Sequence, residues 1–242
     1  ISLKCSGITS SLALSINDLM DAHAFLLETK IAPVNRYILD LGISKDADTL
    51  IASLRHDIDN SIEAAIPMGR IEAECCAPST FFVLLTSDFY NPASQKSLAL
   101  LRQLQAMGHE IGLHFDEVAY ENTDIPVETL IRREADILSD ILGTPVTSVS
   151  MHRPSKKTLE SDMKIPGLVN SYGKTFFRDF KYLSDSRCRW REPVMDIIKS
   201  EEYARLHILT HSIWYHDEPQ GIEDTVKNFI LSAKRERYMQ MM

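Results

Sequence analysis

The 242-residue sequence predicts an α/β fold in which a parallel sheet closes fully or partly into a barrel. Short apolar runs alternate with helical patterns from about residue 50 onward, and about seven such units follow one another. No internal repeat or low-complexity tract interrupts them. We therefore predict one domain over 1–242, with a barrel body over 50–242 and an N-terminal extension, 1–48, packed on it.

The strands and helices follow from local signals. The run TFFVLL at 80–85 is wholly apolar, which suits a strand buried on both faces. Between Pro126 and Gly143, apolar residues recur at helical spacing. The predicted strands are 50–57, 80–85, 109–114, 146–151, 168–172, 182–184 and 206–211, and the predicted helices are 18–28, 60–77, 92–107, 127–142 and 222–237.

The first helix of the barrel body carries two signals near its start. Asn60, followed three residues later by Glu63, has the spacing of a capping box, so Asn60 is the predicted N-cap. Pro67 lies inside the predicted helix and has no amide hydrogen to donate. We therefore expect it to kink the helix or to delay its start.

Composition excludes several classes of function. The formal charge of -8 and the pI near 5.5 argue against nonspecific binding to nucleic acid or anionic membranes. No stretch approaches the roughly 20 apolar residues of a membrane-spanning helix. The four cysteines, Cys5, Cys75, Cys76 and Cys188, show no zinc-binding spacing, and no secretory signal is visible, so we expect reduced thiols in the cytoplasm.

Two carboxylates mark the end of the first barrel strand. Side chains alternate between the faces of a strand, so Asp57 and Asp59 are expected to point the same way. Converging carboxylates repel each other unless a cation or a proton intervenes. One can then ligate a metal while the other accepts a proton from metal-bound water. The alternative is a solvated loop with two acids that cap the following helix.

Histidines stand at three other strand ends. His114 ends its strand and is the predicted ligand, whereas His109, five residues earlier, faces the other way and is predicted to be structural. His152 and Arg153 follow the next strand, and an arginine can orient a nearby carboxylate. His211 ends the last strand. A single such histidine is more often structural than catalytic, but the active sites of parallel barrels lie at the carboxyl ends of the strands.

Together these residues resemble the polysaccharide deacetylase family (NodB homology, carbohydrate esterase family 4-like) over roughly 50–215. The segment from Gly108 to His114 is similar to that family's Gly-His-Glu-Ile-Gly-Asn-His motif. The run from His56 to Asp59 resembles the first motif of a divergent subgroup, associated with bacterial surface polysaccharides, in which one residue separates the two acids. The resemblance implies a distorted (β/α)7-type barrel and a metal-dependent hydrolase that removes an acyl group, typically N-acetyl, from a sugar or polysaccharide precursor.

The resemblance also implies a role for each motif residue. Asp57 would be the general base, oriented by Arg153, and His211 would protonate the leaving group. Asp59 and His114 would bind a divalent cation, with zinc expected by default for nitrogen and oxygen ligands.

One family position differs here. The family's second metal-binding histidine would fall at Val118. His152 is the leading replacement and Asp116 is the alternative, although His152 could instead contact substrate. Asp185 and Trp190 resemble the family motif that supports the last histidine, His211, and lines the pocket. The residues expected at the substrate, for each of which simple packing is an equal alternative, are Tyr90, Asn91, Asp185, Trp190 and Trp214.

Other functions on the same barrel stay open. The site could hydrolyse a different amide, such as a cyclic ureide or a formyl group, or act on a nucleotide-linked sugar. The missing histidine could instead mark a catalytically silent, carbohydrate-binding relative. The oligomeric state does not follow from the sequence.

Overall fold

The structure is a computed structural model, and it describes residues 30–32 and 51–242. The helix predicted at 18–28 lies outside the described residues, and the single domain over 1–242 stays a prediction. Part of the predicted extension is described: β1 (Lys30–Ala32) pairs in parallel with the beginning of β2 (Ile51–Ile58), with Lys30 opposite Ile51.

The remaining strands join β2 in one curled parallel sheet. They are β3 (Thr80–Leu84), β4 (Glu110–Phe115), β5 (Ser148–Met151), β6 (Val169–Asn170), β7 (Lys181–Ser184) and β8 (Arg205–Thr210). The strand order is β6-β5-β4-β3-β2-β8-β7, and every pairing along it is parallel. This arrangement confirms the predicted distorted (β/α)7-type barrel, with β6 and β7 at the edges of the curled sheet.

Helices connect successive strands. The α-helices are α1 (Ala65–Glu74), α2 (Gln95–Ala106), α3 (Val127–Leu142), α4 (Lys156–Glu160), α5 (Val194–Ser200) and α6 (Ile222–Met241). Short 3-10 helices follow β4 (Glu117–Tyr120) and β8 (Ser212–Trp214), and a π-helical turn (Thr175–Asp179) precedes β7. Within the described part of the chain, no helix is both long enough and apolar enough to cross a membrane.

The predicted cap of α1 is wrong. Its N-cap is Ala64, and the hydroxyl oxygen of Ser61 accepts the Ala64 amide at 3.2 Å, so a turn replaces the predicted capping box at Asn60. Pro67 delays the helix as expected, because it lies in the first turn, where the amide of a residue has no acceptor within the helix.

The helix α3 has the predicted bounds. Its buried residues recur every three or four positions and include Leu130, Ile131, Ala135 and Leu138. Gly143 follows the helix with φ of 73°, a left-handed conformation that glycine adopts without the steric penalty of a Cβ atom.

The two faces of the sheet differ in character. The outer face packs under the helices in an apolar core that includes Ile58, Phe81, Leu113 and Val149. The inner face carries buried polar groups, of which the largest is Arg55. Alternation along β2 therefore directs Arg55 and Asp57 into the barrel and His56 outward, where its Nε2 lies 2.8 Å from Glu72 of α1.

Candidate metal-dependent active site

Four strand ends bring the predicted site residues together. Asp59 follows β2, His114 lies near the end of β4, His152 follows β5 and His211 follows β8. Since all these strands are parallel, their carboxyl ends lie at the same end of the barrel. The fold thereby brings together side chains that are far apart in sequence. Asp59 and His211, for example, are separated by 152 positions.

Three of these side chains form a compact group of donor atoms, which we call the ligand triangle. Asp59 Oδ1 lies 3.2 Å from His114 Nε2 and 3.2 Å from His152 Nδ1. The two ring nitrogens are also 3.2 Å apart. Ligand atoms around a tetrahedral zinc, with bonds of roughly 2.0–2.1 Å, lie about 3.3 Å from one another. The triangle therefore has the dimensions of three protein ligands on one small cation.

The surroundings of the triangle also fit a divalent cation. Asp59 Oδ1 is buried and makes no hydrogen bond of good geometry to any described residue. Such an orphaned acceptor is costly unless a cation satisfies it. The side chain of His114 is 1% exposed, whereas those of Asp59 and His152 are 23% and 24% exposed. One side of the triangle is thus open to solvent, as a catalytic metal site requires.

Electrostatics keep the carboxylate of Asp59 ionised. Burial by itself would raise the pKa of Asp59, but the contacts with His114 and His152 lower it well below the usual value. Burial lowers the pKa of His152, and its contact with Asp59 more than compensates, so the net shift is upward. Asp59 therefore offers a charged oxygen to a ligand at neutral pH.

Asp57 lies beside the triangle in a more enclosed place. Its Oδ2 is 2.7 Å from Arg55 Nη2 and 3.7 Å from His114 Nε2, and its Oδ1 accepts a hydrogen bond from Ser150 at 3.3 Å. Burial would raise the pKa of Asp57, but the Arg55 guanidinium holds it below its usual value. An ionised carboxylate therefore stands next to the ligand atoms without belonging to their triangle.

The predicted partner of Asp57 is wrong. Arg153 pairs with both carboxylate oxygens of Asp116, its Nε at 3.0 Å from Oδ1, and its side chain is 54% exposed. The arginine that contacts Asp57 is Arg55, which lies two residues earlier on the same face of β2. That two-residue spacing was visible in the sequence and could have indicated the pair.

The same ion pair removes Asp116 as the alternative ligand. Asp116 is held by Arg153 and by the Val118 amide, which donates to its Oδ1 at 3.3 Å. Within the described residues, the metal-sized group contains Asp59, His114 and His152 alone. Val118 is on the surface, at the 3-10 helix that follows β4.

His211 lies on the other side of Asp59 and is held by Asp185. Its Nδ1 is 2.6 Å from Asp185 Oδ1, its backbone amide donates to Asp185 Oδ2 at 3.0 Å, and its Nε2 is 3.9 Å from Asp59 Oδ2. Burial lowers the pKa of His211, but the charge of Asp185 outweighs it and raises the pKa to about 9. His211 therefore carries a proton at neutral pH and directs Nε2 toward the triangle.

Three of the expected substrate contacts have side-chain oxygens that form hydrogen bonds within the chain. Asp185 is fully buried with both oxygens on His211, so it supports that histidine, as its motif implied, and is not free to contact substrate. The hydroxyl of Tyr90 donates to the Ile58 carbonyl at 2.6 Å and accepts the Leu84 amide at 2.9 Å, which ties β2 to β3. Asn91 Oδ1 accepts the Ala93 amide at 3.0 Å in the turn before α2.

The two tryptophans remain candidates for substrate contact. Trp190 and Trp214 are partly buried and pack against the apolar core. The indole nitrogen of Trp214 has no hydrogen-bond partner among the described residues, and this residue follows His211 by three positions. Their role at the substrate stays a prediction.

His109 is structural, as predicted. It is buried at the start of β4, where its Nε2 is 2.8 Å from the Gly69 carbonyl oxygen and its Nδ1 accepts the Ser79 amide at 3.2 Å. These contacts tie α1 to the amino ends of β3 and β4, at the opposite edge of the sheet from the ligand triangle.

No protein-family model and no curated protein matches the chain. Among solved structures, it is similar to the Streptococcus pyogenes deacetylase PplD in complex with acetate, with 13% identity, 82% of each chain covered and a TM-score of 0.47. It is also similar to a polysaccharide deacetylase from Bacillus cereus, with 17% identity, 78% of this chain and 88% of that chain covered, and a TM-score of 0.45.

A third similar structure is a CE4 family pseudoenzyme from Bacillus anthracis, with 11% identity and a TM-score of 0.41. The match covers 78% of this chain and 62% of that one, so the chain spans less than two thirds of its length. At these identities and TM-scores, function has to be argued from the site itself. The solved structures that the chain resembles include deacetylases, a family 4 carbohydrate esterase and a CE4 family pseudoenzyme.

Proposed function

We propose that the chain is a metal-dependent hydrolase that removes an acyl group, typically N-acetyl, from a sugar or polysaccharide precursor. The observation that carries the proposal is the ligand triangle, with sides of 3.2 Å, flanked by an ionised carboxylate at Asp57 and a protonated imidazole at His211. A base and an acid on two sides of a cation site are what hydrolysis of an amide needs.

Asp59, His114 and His152 would hold the cation. The donor set of two imidazoles and one carboxylate suits zinc and related divalent ions. When bound there, such an ion would lower the pKa of a water molecule and polarise the acyl carbonyl.

Asp57 supplies the base. Its carboxylate is ionised because Arg55 is adjacent, and it lies 3.7 Å from a ligand nitrogen of the triangle, His114 Nε2. It can therefore accept a proton from a water molecule at the open side of the triangle. Its low exposure of 3% keeps bulk water from competing for the carboxylate.

His211 supplies the acid. Asp185 fixes Nδ1 as a donor, so the proton on Nε2 is the one available to the departing amine. Since Asp185 also accepts the His211 backbone amide, the imidazole is held at both its ring and its main chain. After transfer, the neutral imidazole still donates from Nδ1 to Asp185.

The test measures zinc binding and acetate release in the same protein. Wild type should bind about one zinc per chain, melt at a higher temperature with zinc than without it, and release acetate from N-acetylated chito-oligosaccharides. His152→Ala should weaken zinc binding at least 10-fold, because it removes one of three ligands. The matched control is His216→Ala, since His216 bonds Thr225 at 3.1 Å outside the triangle.

Equal zinc affinity in wild type and in His152→Ala would contradict the assigned triangle. Zinc binding by wild type with no acetate release from any acetylated sugar would contradict the sugar deacetylase. The substrate panel should include formyl amides, cyclic ureides and nucleotide-linked N-acetyl sugars, which distinguish the sugar deacetylase from other amide hydrolases on this barrel.

A catalytically silent, carbohydrate-binding protein is the second candidate. Val118 favours it, because this apolar side chain occupies the position of a second metal-binding histidine and is 36% exposed. Binding of chito-oligosaccharides without acetate release, in zinc-loaded protein, would support this candidate over the first.

A further inference from the structure

Arg55 is fully buried inside the barrel, with a side chain 0% exposed. Arginine is almost never fully buried unless its charge is paired, because the guanidinium loses its hydration. The residue lies on β2, two positions before Asp57, and the sequence motifs assigned it no role.

The guanidinium has a fixed set of partners from three strands. Its Nη2 is 2.7 Å from Asp57 Oδ2 and donates to Ser150 Oγ at 2.8 Å, and its Nη1 donates to Ser171 Oγ at 2.8 Å. The guanidinium carbon also lies over the Tyr172 ring, 4.8 Å from the ring centroid. Arg55 therefore links β2 to β5 and to the end of β6.

These contacts fix both oxygens of the Asp57 carboxylate. Arg55 holds Oδ2, and Ser150, which accepts from Arg55, donates to Oδ1 at 3.3 Å. The guanidinium, the serine hydroxyl and the carboxylate thus form a closed ring of hydrogen bonds. Within this ring the carboxylate has one orientation, in which Oδ2 lies 3.7 Å from His114 Nε2.

We propose that Arg55 is the positioning residue of Asp57, held in turn by Ser171, and that it orients the carboxylate toward the ligand triangle. The inference rests on the proposed function, in which Asp57 accepts a proton. A buried ion pair is a poor device for stability alone, since apolar residues of similar volume often stabilise a core equally well. A buried ion pair is useful, however, where it fixes the orientation of a reacting carboxylate.

The variants Arg55→Met, Arg55→Lys and Ser171→Ala test the assignment, with kcat, KM and zinc affinity measured for each. Arg55→Met should lower kcat about 100-fold, the effect of a misplaced catalytic group. Arg55→Lys should recover part of that loss, because an ammonium can reach Asp57 but cannot also satisfy both serines. KM and zinc affinity should stay within about threefold of wild type in both, since neither variant removes a ligand.

Ser171→Ala keeps the test decisive if Arg55→Met does not fold. It removes one buried hydroxyl that contacts Arg55 and should lower kcat about 10-fold. The matched control is Ser53→Ala, which removes a buried hydroxyl from the same face of β2 that has no partner among the described residues. Its kcat should equal that of wild type.

Three contrary results would have different meanings. An active wild type with unchanged kcat in Ser171→Ala and Arg55→Lys overturns the role of Arg55 and leaves the proposed function standing. Loss of zinc affinity in parallel with kcat also overturns it, because Arg55 would then support the whole site. A zinc-loaded wild type that releases no acetate overturns the proposed function and the role of Arg55 with it.

Discussion

Asp57 and Asp59 are two residues apart, yet they have different neighbours. Asp57 is 3% exposed and is held by a guanidinium, whereas Asp59 is 23% exposed and contacts two imidazoles. A carboxylate locked by arginine is suited to accept a proton in a fixed direction, and one that faces two histidine nitrogens is suited to share a cation with them. Because both residues are aspartates, their different surroundings alone assign one the role of base and the other the role of metal ligand.

This division of labour predicts different losses. Asp57→Asn should bind zinc within about threefold of wild type and lose at least about 1000-fold in kcat, since the amide cannot accept the proton. Asp59→Ala should lose both zinc and turnover. Isothermal titration with zinc, together with acetate release, measures the two quantities. Equal zinc occupancy in the two variants would refute the assignment.

The proton donor, His211, should determine the alkaline limb of the pH profile of kcat/KM. His211 must be protonated to donate, so kcat/KM should fall as pH rises through about 9, the raised pKa of its imidazole. Asp185→Asn removes the charge that raises this pKa, and burial then lowers it. The alkaline limb should move to lower pH. For each pH unit by which it moves, kcat/KM at alkaline pH should fall roughly tenfold.

The control for Asp185→Asn is Asp217→Asn, which removes an exposed carboxylate from the loop that follows β8. It should leave the limb unchanged. An alkaline limb that stays in place in Asp185→Asn would show that His211 is not the proton donor.

Among the elements, the 3-10 helix after β4 is anchored to α3. The Tyr120 hydroxyl donates to Glu134 of α3, and the Tyr120 ring stacks on Phe115 with ring centroids 5.5 Å apart. This segment begins at Asp116, which pairs with Arg153, so the anchor ties the chain that leaves β4 to α3. Its strength should depend on pH, because Glu134 is buried.

Burial is the main reason why the pKa of Glu134 rises from 4.5 to about 7. The folded state therefore keeps a proton that the unfolded state loses, so stability should decline as pH rises from about 5 to about 7. Glu134→Gln is neutral in both states and should reduce this decline by about 2–3 kcal/mol. Urea unfolding at about pH 5 and about pH 8 measures it.

Asp140→Asn, an exposed change on the same helix, is the control for Glu134→Gln and should leave the pH dependence unchanged. If Glu134→Gln showed the same decline as wild type, the buried carboxyl could not be its source.

At the scale of the whole molecule, the curled sheet places its strands close together around a packed interior. Gly112 on β4 shows how little room remains: a Cβ atom there would lie 2.5 Å from the Phe82 ring and 2.6 Å from Ser148 Oγ. Gly112 pairs with Phe82 across β3 and β4, so the glycine leaves space for an aromatic ring inside the barrel.

Gly112→Ala should therefore lower the free energy of unfolding by about 1–3 kcal/mol, the usual range for overpacking a core. Gly221→Ala is the matched control, since nothing lies within 4 Å of a Cβ atom at that position, and its effect should stay within about 0.5 kcal/mol. Urea unfolding of the two variants measures the difference. Equal stability would mean that the interior near β4 can adjust.

Much of the fold, and the position of the candidate site, could be predicted from local patterns in the sequence. Apolar runs and helical spacing predicted the parallel barrel, and the bounds of α3 agree with its apolar stripe and with Gly143. The convergence of Asp59, His114 and His152 was also predictable, because parallel strands present their carboxyl ends at one edge. These features depend on periodicity and on strand direction, which neighbouring residues determine.

Only the tertiary structure decided which side chains pair across the site. The sequence suggested Arg153 for Asp57, and the fold instead brought Arg55 to Asp57 and Arg153 to Asp116. The contact of Asp185 with His211, by contrast, agrees with the support for that histidine that the family motif implied. The Arg55–Asp57 pair agrees with a two-residue spacing on one strand, whereas the Arg153–Asp116 pair joins residues 37 positions apart in sequence. A pair of the second kind depends on angstrom-scale differences in strand twist and loop path, and no local pattern along the chain records those differences.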